Sequence, residues 1–154
     1  MPLNVQVFNQ QSSLAISSTS VQKVVSCLLL EFCNKKYDEV NIYFVGEEEI
    51  CKLHEEFFDD PSPTDCISFP MDTEDDESEY LILGDIFISP KAALDYVSLD
   101  SKDVYEELTL YLVHGLLHLL GYDDINEADI KKMRAAEKIH LDHLKAHSVY
   151  LTAK

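Results

Sequence analysis

The sequence predicts an α+β fold, a single small domain spanning residues 1–154, in which a mixed sheet of about four strands packs with helices. Three observations predict it. Segments of strand period and of helix period follow one another in the order β-α-β-α-β-β-α-α-α, which suits one sheet covered by helices. Hydrophobic residues make up 46% of 154 residues, enough for one core. No internal repeat and no long linker divides the chain.

The first strand is read from the alternation of Leu3, Val5 and Val7 over Leu3 to Phe8. Ser20 to Cys33 has helix period, with Val21, Val24, Val25, Leu28, Leu29 and Phe32 on its apolar side. Val40 to Val45 is the second strand, and Gly46 opens a helix over Glu47 to Phe58. Pro61 and Pro63 break the chain into a loop over Asp59 to Pro63. Cys66 to Phe69 is a short strand stopped by Pro70. Met71 to Tyr80, with Asp72, Glu74, Asp75, Asp76, Glu77 and Glu79, reads as a solvated acidic loop. Leu81 to Ser89 is the fourth strand, and Pro90 starts a short helix toward Tyr96. Asp103 is an N-cap with Glu106 at capping-box spacing, and the helix that follows to about Leu120 is apolar nearly all round. Such a helix is buried on several sides, and Gly121 is suited to end it. The last helix runs from about Glu127 to His147 after Asn126, with Ile130, Met133, Leu141 and Leu144 as its core face.

Charge excludes several functions. The net charge is −17, and Arg134 is the single arginine. Affinity for a nucleic-acid backbone comes from Lys and Arg neutralising phosphates, so a general DNA binder is excluded and any RNA contact is local or shared with a partner. Lys23, Lys35 and Lys36 are candidates for a basic patch. The most apolar run, Leu108 to Tyr122, is too short to span a membrane. Met1 to Gln10 lacks the pattern of a signal peptide. Cys27, Cys33, Cys51 and Cys66 form no C-x-x-C pair and read as reduced, mostly buried thiols of a cytoplasmic protein.

The chemistry concentrates in His114 to Asp124, HGLLHLLGYDD. His114 and His118 stand at i and i+4 on the buried helix, on one face and about 6 Å apart along the axis. Two imidazoles so placed take two corners of a tetrahedral metal site. Gly121 turns the chain back, which brings Asp124 toward the same ion as a third ligand and leaves a fourth position open. The buried helix is thus the metal-binding helix, holding one divalent ion per chain, zinc by ligand chemistry. The alternative is that the two histidines are satisfied core residues. Gly115 follows His114, where H-E-x-x-H proteases carry a glutamate base, so that chemistry is disfavoured. Asp123 is a candidate general base; a cap, or a hydrogen-bond partner to a histidine, is the other reading. His140, His143 and His147 read as a solvated edge, His54 as a helix-surface residue, and Ser68 as an ordinary strand residue or a phosphate contact.

His114 to Asp124 closely resembles the signature of the YbeY endoribonuclease family, H-G-x-L-H-L-x-G-Y-D-H, and departs from it only at the last position. Pro63 to Pro70, PTDCISFP, resembles the family's P-T-D-V-L-S-F-P, and Leu83 to Ile88 resembles its L-G-D-I-x-I strand. The resemblance covers nearly the whole chain. It implies a small α+β fold and a metal-dependent, single-strand endoribonuclease acting in maturation of small-subunit ribosomal RNA and in ribosome quality control. It implies ribosomal RNA and the small ribosomal subunit or its assembly proteins as partners, and His114 and His118 as metal ligands. Asp124 stands where the family has a third histidine, and Phe58 where it has an arginine. Two other readings stay open: a weakly catalytic or non-catalytic assembly factor with a structural metal, and another zinc hydrolase.

Overall fold

The fold was taken from a computed structural model that describes residues 3–32, 37–72, 77, 79–100 and 103–154. Its elements are β1 (Asn4–Gln10), α1 (Ser18–Phe32), β2 (Glu39–Val45), α2 (Glu47–Phe58), β3 (Cys66–Pro70), β4 (Ile82–Ile88), α3 (Pro90–Asp100), α4 (Val104–Leu119) and α5 (Glu127–Ala146). The order is the one expected from hydrophobic period. Boundaries differ by a few residues, most at α3, which continues four residues past Tyr96 to Asp100.

The sheet has the order β1-β2-β4-β3. β1, β2 and β4 run parallel, and β3 pairs antiparallel to β4, so the sheet is mixed. One face carries Val40, Ile42, Phe44, Ile86 and Ile88, all fully buried. These belong to one core with Val21, Val24, Val25 and Leu28 of α1 and Leu108, Leu112, Val113, Leu116 and Leu117 of α4. Burial of α4 nearly all round explains why its sequence lacks a polar stripe.

Two glycines allow α4 to lie close on the sheet. A Cβ on Gly115 would stand 2.8 Å from Cγ2 of Ile86 and 2.9 Å from Sγ of Cys66. A Cβ on Gly84 would stand 2.4 Å from the carbonyl oxygen of Phe69 and 2.7 Å from Leu119. The Ser68 hydroxyl donates to the carbonyl of Gly115 at 3.0 Å, which pins the same helix turn to β3. Ser68 is therefore a structural tie here.

Several expectations are corrected. Asp103 caps α4 through the Tyr105 N–H at 2.9 Å, but Glu106 lies 3.7 Å from Lys145 instead of closing a capping box. Ile130 is exposed, and the buried face of α5 is Met133, Ala136, Glu137, His140 and Leu144, with Leu141 packed at its edge. His140 is therefore in the interior, not on a solvated edge. His54 is half-buried, and its Nδ1 donates to the carbonyl of Ser62 at 2.8 Å. Cys27, Cys51 and Cys66 are free thiols, largely covered but not fully enclosed. Burial pushes the Cys66 thiol up, which makes it a poor thiolate ligand. Cys33, Lys35, Lys36, Glu74, Asp75 and Asp76 lie outside the described residues. Among the described residues, no helix is long and apolar enough to cross a membrane.

Candidate metal centre

The end of α4 builds the site. The Gly121 N–H bonds to the carbonyl of His118 at 3.1 Å, and the Tyr122 N–H bonds to that of Leu117 at 3.0 Å. These two bonds form a Schellman cap, with Gly121 in the left-handed region at φ 106°. The turn reverses the chain so that both Tyr122 and Asp124 come back over the last helical turn.

Each histidine is oriented by its Nδ1. His118 Nδ1 donates to the Tyr122 carbonyl at 3.1 Å. His114 Nδ1 donates to Glu137 Oε2 at 2.5 Å. A carbonyl and a carboxylate are acceptors, so both Nδ1 atoms carry hydrogen and both Nε2 atoms carry lone pairs. Those lone pairs converge. The two Nε2 atoms are 2.9 Å apart, and Asp124 Oδ2 lies 3.5 Å from that of His114 and 3.4 Å from that of His118. Ligand atoms about 2.0–2.1 Å from a zinc ion lie about 3.4 Å apart on a tetrahedron. Three acceptors at such distances repel one another unless a positive charge sits among them. The donor set therefore fits a divalent ion, and among the described residues His114, His118 and Asp124 are the group able to hold one. The histidine side chains are about four-fifths buried, whereas Asp124 is 44% exposed, so the site opens to solvent on the Asp124 side.

Behind His114 stands a buried acid that sequence reading missed. Glu137 Oε2 takes His114 Nδ1 and Oε1 takes Nη1 of Arg134 at 2.8 Å. Burial works to raise the Glu137 carboxyl, but the hydrogen bonds of His114 and Arg134, with the charge of Arg134, hold it below the usual carboxylate range. The signal was present in the sequence as an acid in the middle of the α5 stripe of Met133, Ala136, His140 and Leu144. A carboxylate behind a ligating histidine fixes its tautomer and raises its basicity.

Asp123, the candidate base, is exposed beside the ligands, and its Oδ1 accepts the Asp124 N–H at 2.9 Å. Its other oxygen stays available. Phe58 is exposed at the end of α2 with its ring 5.7 Å from that of His54. A cavity of about 830 Å³ lies between α4 and α5; Arg134 and Glu137 line it, but His114, His118 and Asp124 do not.

The model of a family described as "Endoribonuclease YbeY" matches residues 6–145. The chain belongs to the YbeY endoribonuclease family. The match runs from within β1 to the last turn of α5 and includes the His114 to Asp124 segment. Similar proteins include an "Endoribonuclease YbeY" of Protochlamydia amoebophila, 48% identical over 96% of this chain and 97% of the relative. One of Chlamydia abortus is 43% identical over 89% of this chain and 88% of that protein. The fold is also that of TM1509 from Thermotoga maritima, known from a solution structure, with a TM-score of 0.64 and 21% identity over 93% of this chain and 90% of that one. The α+β class and the endoribonuclease class that the YbeY motifs imply thus agree with the family.

Proposed function

We propose that this chain is a metal-dependent endoribonuclease that cleaves single-stranded ribosomal RNA during maturation and quality control of the small ribosomal subunit. The proposal places it in the cytoplasm, with the small subunit or its assembly proteins as partners. The observation that carries it is the convergence of three lone-pair atoms, from His114, His118 and Asp124, with both histidine tautomers held by outside acceptors. Imidazole nitrogens with one carboxylate suit zinc, one ion per chain.

When bound, the ion supplies acidification of a water molecule and polarisation of a phosphoryl oxygen. The chain's own residues do the rest. His114 and His118 are held by Glu137 and Tyr122, so they need no reorganisation to bind. Asp124 is the most exposed of the three, so a strand would approach from its side. Asp123 adjoins it, and in this reading its carboxylate would take a proton from the attacking oxygen, the general-base role. Gly115 leaves no base directly after His114, and its contacts with Ile86 and Cys66 leave no room for one.

The test is cleavage of a labelled single-stranded RNA by the purified protein, with and without a chelator, beside the His114→Ala and His118→Ala variants. Zinc-dependent cleavage, with both variants empty by elemental analysis and inactive, is the expected result. Phe58 in place of the family arginine favours a second reading, an assembly factor with a structural metal. Stoichiometric zinc with no cleavage at any pH would replace the first reading with the second.

A further inference from the structure

We propose that Arg134 is a substrate-positioning residue that binds a phosphate of the RNA strand next to the metal centre. The inference rests on the endoribonuclease reading and names the cation that this reading needs.

Arg134 is the one guanidinium of a chain with net charge −17. Its side chain is 66% exposed, although the carboxylate it holds is 5% exposed. Only Nη1 is engaged, by Glu137 Oε1, and Glu137 connects directly to the metal-ligating His114. The guanidinium is therefore fixed at one corner, one carboxylate away from a metal ligand, with the remaining N–H donors facing solvent. Such a fork matches phosphate geometry, which a lysine does as a point charge only. The hydrogen bond and charge of Glu137 strengthen a guanidinium that is in any case permanently charged. A divalent ion bound at His114, His118 and Asp124 would offset the carboxylates of Asp123, Asp124 and Glu137, so a phosphate would be repelled less by the loaded site than by the empty one.

The other described cations suit the task less. Lys91 is paired with Asp95, Lys138 with Asp142, and Lys145 stands by Glu106. Lys23 lines a separate hollow with Ser17 and Lys154. At the position of the family arginine, Phe58 offers no charge. Lys131, one turn before Arg134 on α5, adds a second positive charge on the same helix face.

The experiment compares wild type with Arg134→Ala, Arg134→Lys and, as a surface control, Lys91→Ala. Binding of a labelled single-stranded oligouridylate is followed by fluorescence anisotropy against salt, on zinc-loaded and zinc-free protein. Zinc content and cleavage kinetics are measured alongside. Arg134→Ala should raise KM about tenfold and flatten the slope of log affinity against log salt by about 0.7, the loss of one single-strand phosphate contact. Arg134→Lys should keep the slope and recover part of the affinity, Lys91→Ala should match wild type, and all should hold zinc. Two results would overturn the inference: the same KM and slope in Arg134→Ala as in an active wild type, or loss of zinc affinity without loss of RNA binding. The second would make Arg134 a clamp on Glu137 alone. A wild type that is loaded with zinc but neither binds nor cleaves RNA would overturn the endoribonuclease reading, and this inference with it.

Discussion

Glu137 accepts the Nδ1 hydrogen of His114 across 23 residues of sequence, and that bond ties α5 to the candidate metal centre at the end of α4. Its second oxygen holds Arg134. Glu137→Ala should therefore weaken zinc binding about 10–100-fold, the usual effect of removing the partner of a ligating histidine. Glu137→Gln, which keeps an acceptor oxygen but no charge, should lose less. Competition with a chromophoric chelator measures both. Equal affinity in all three proteins would show that His114 needs no outside orientation.

Gly115 sits where α4 touches the sheet most closely. Gly115→Ala drives a methyl group into Ile86 and Cys66, at 2.8 and 2.9 Å. Overpacking of this kind costs about 1–3 kcal/mol. Denaturant unfolding of the zinc-free protein should show that loss as a lower midpoint with unchanged slope. An unchanged midpoint would mean that the helix can lift off the sheet without cost.

Burial, and then the charge of neighbouring His143, push His140 below its ordinary value of 6.5. The unfolded chain thus takes up a proton at this position before the folded chain does. Stability attached to neutral His140 is complete above pH 6.5 and is lost as pH falls through the lower, folded value. Thermal melts of zinc-free protein between pH 7.5 and 5 should fall with pH, and His140→Leu should fall less steeply. Parallel curves for the two proteins would remove His140 as the source.

Asp124 brings a negative charge to the ligand set where the family signature has a neutral imidazole. An anionic ligand lowers the net charge on the ion, so its water is acidified less. Asp124→His should shift the rising limb of the pH–rate profile for RNA cleavage to lower pH, with zinc still stoichiometric. A limb that stays in place would assign the titrating group elsewhere, Asp123 being the first to examine by Asp123→Asn.

The parts of the site that depend on short-range rules were legible in the residues. His114 and His118 share a face because of helix period alone, and Gly121 reverses the chain because its backbone accepts the left-handed region at φ 106°. Asp124 follows from those two facts, and so does the His118 bond to Tyr122. The order of elements was legible too, since each carries its own hydrophobic period. What the sequence left open depends on contacts between distant segments. Polar residues are read as outward-facing, so Glu137 and His140 were passed over and Ile130 was turned inward. In the folded chain Glu137 is buried because His114 and Arg134 pair it, and α5 is rotated to place it there. The same holds for Gly115: its sequence position excludes a glutamate base, but only the approach of Ile86 and Cys66 supplies the steric reason. Spacing along α4 and the turn at Gly121 determined which side chains come together as a group able to hold a metal. The packing of α4 against α5 decided which way His114 points, because a histidine tautomer is set by whatever acceptor the rest of the fold brings to its other nitrogen.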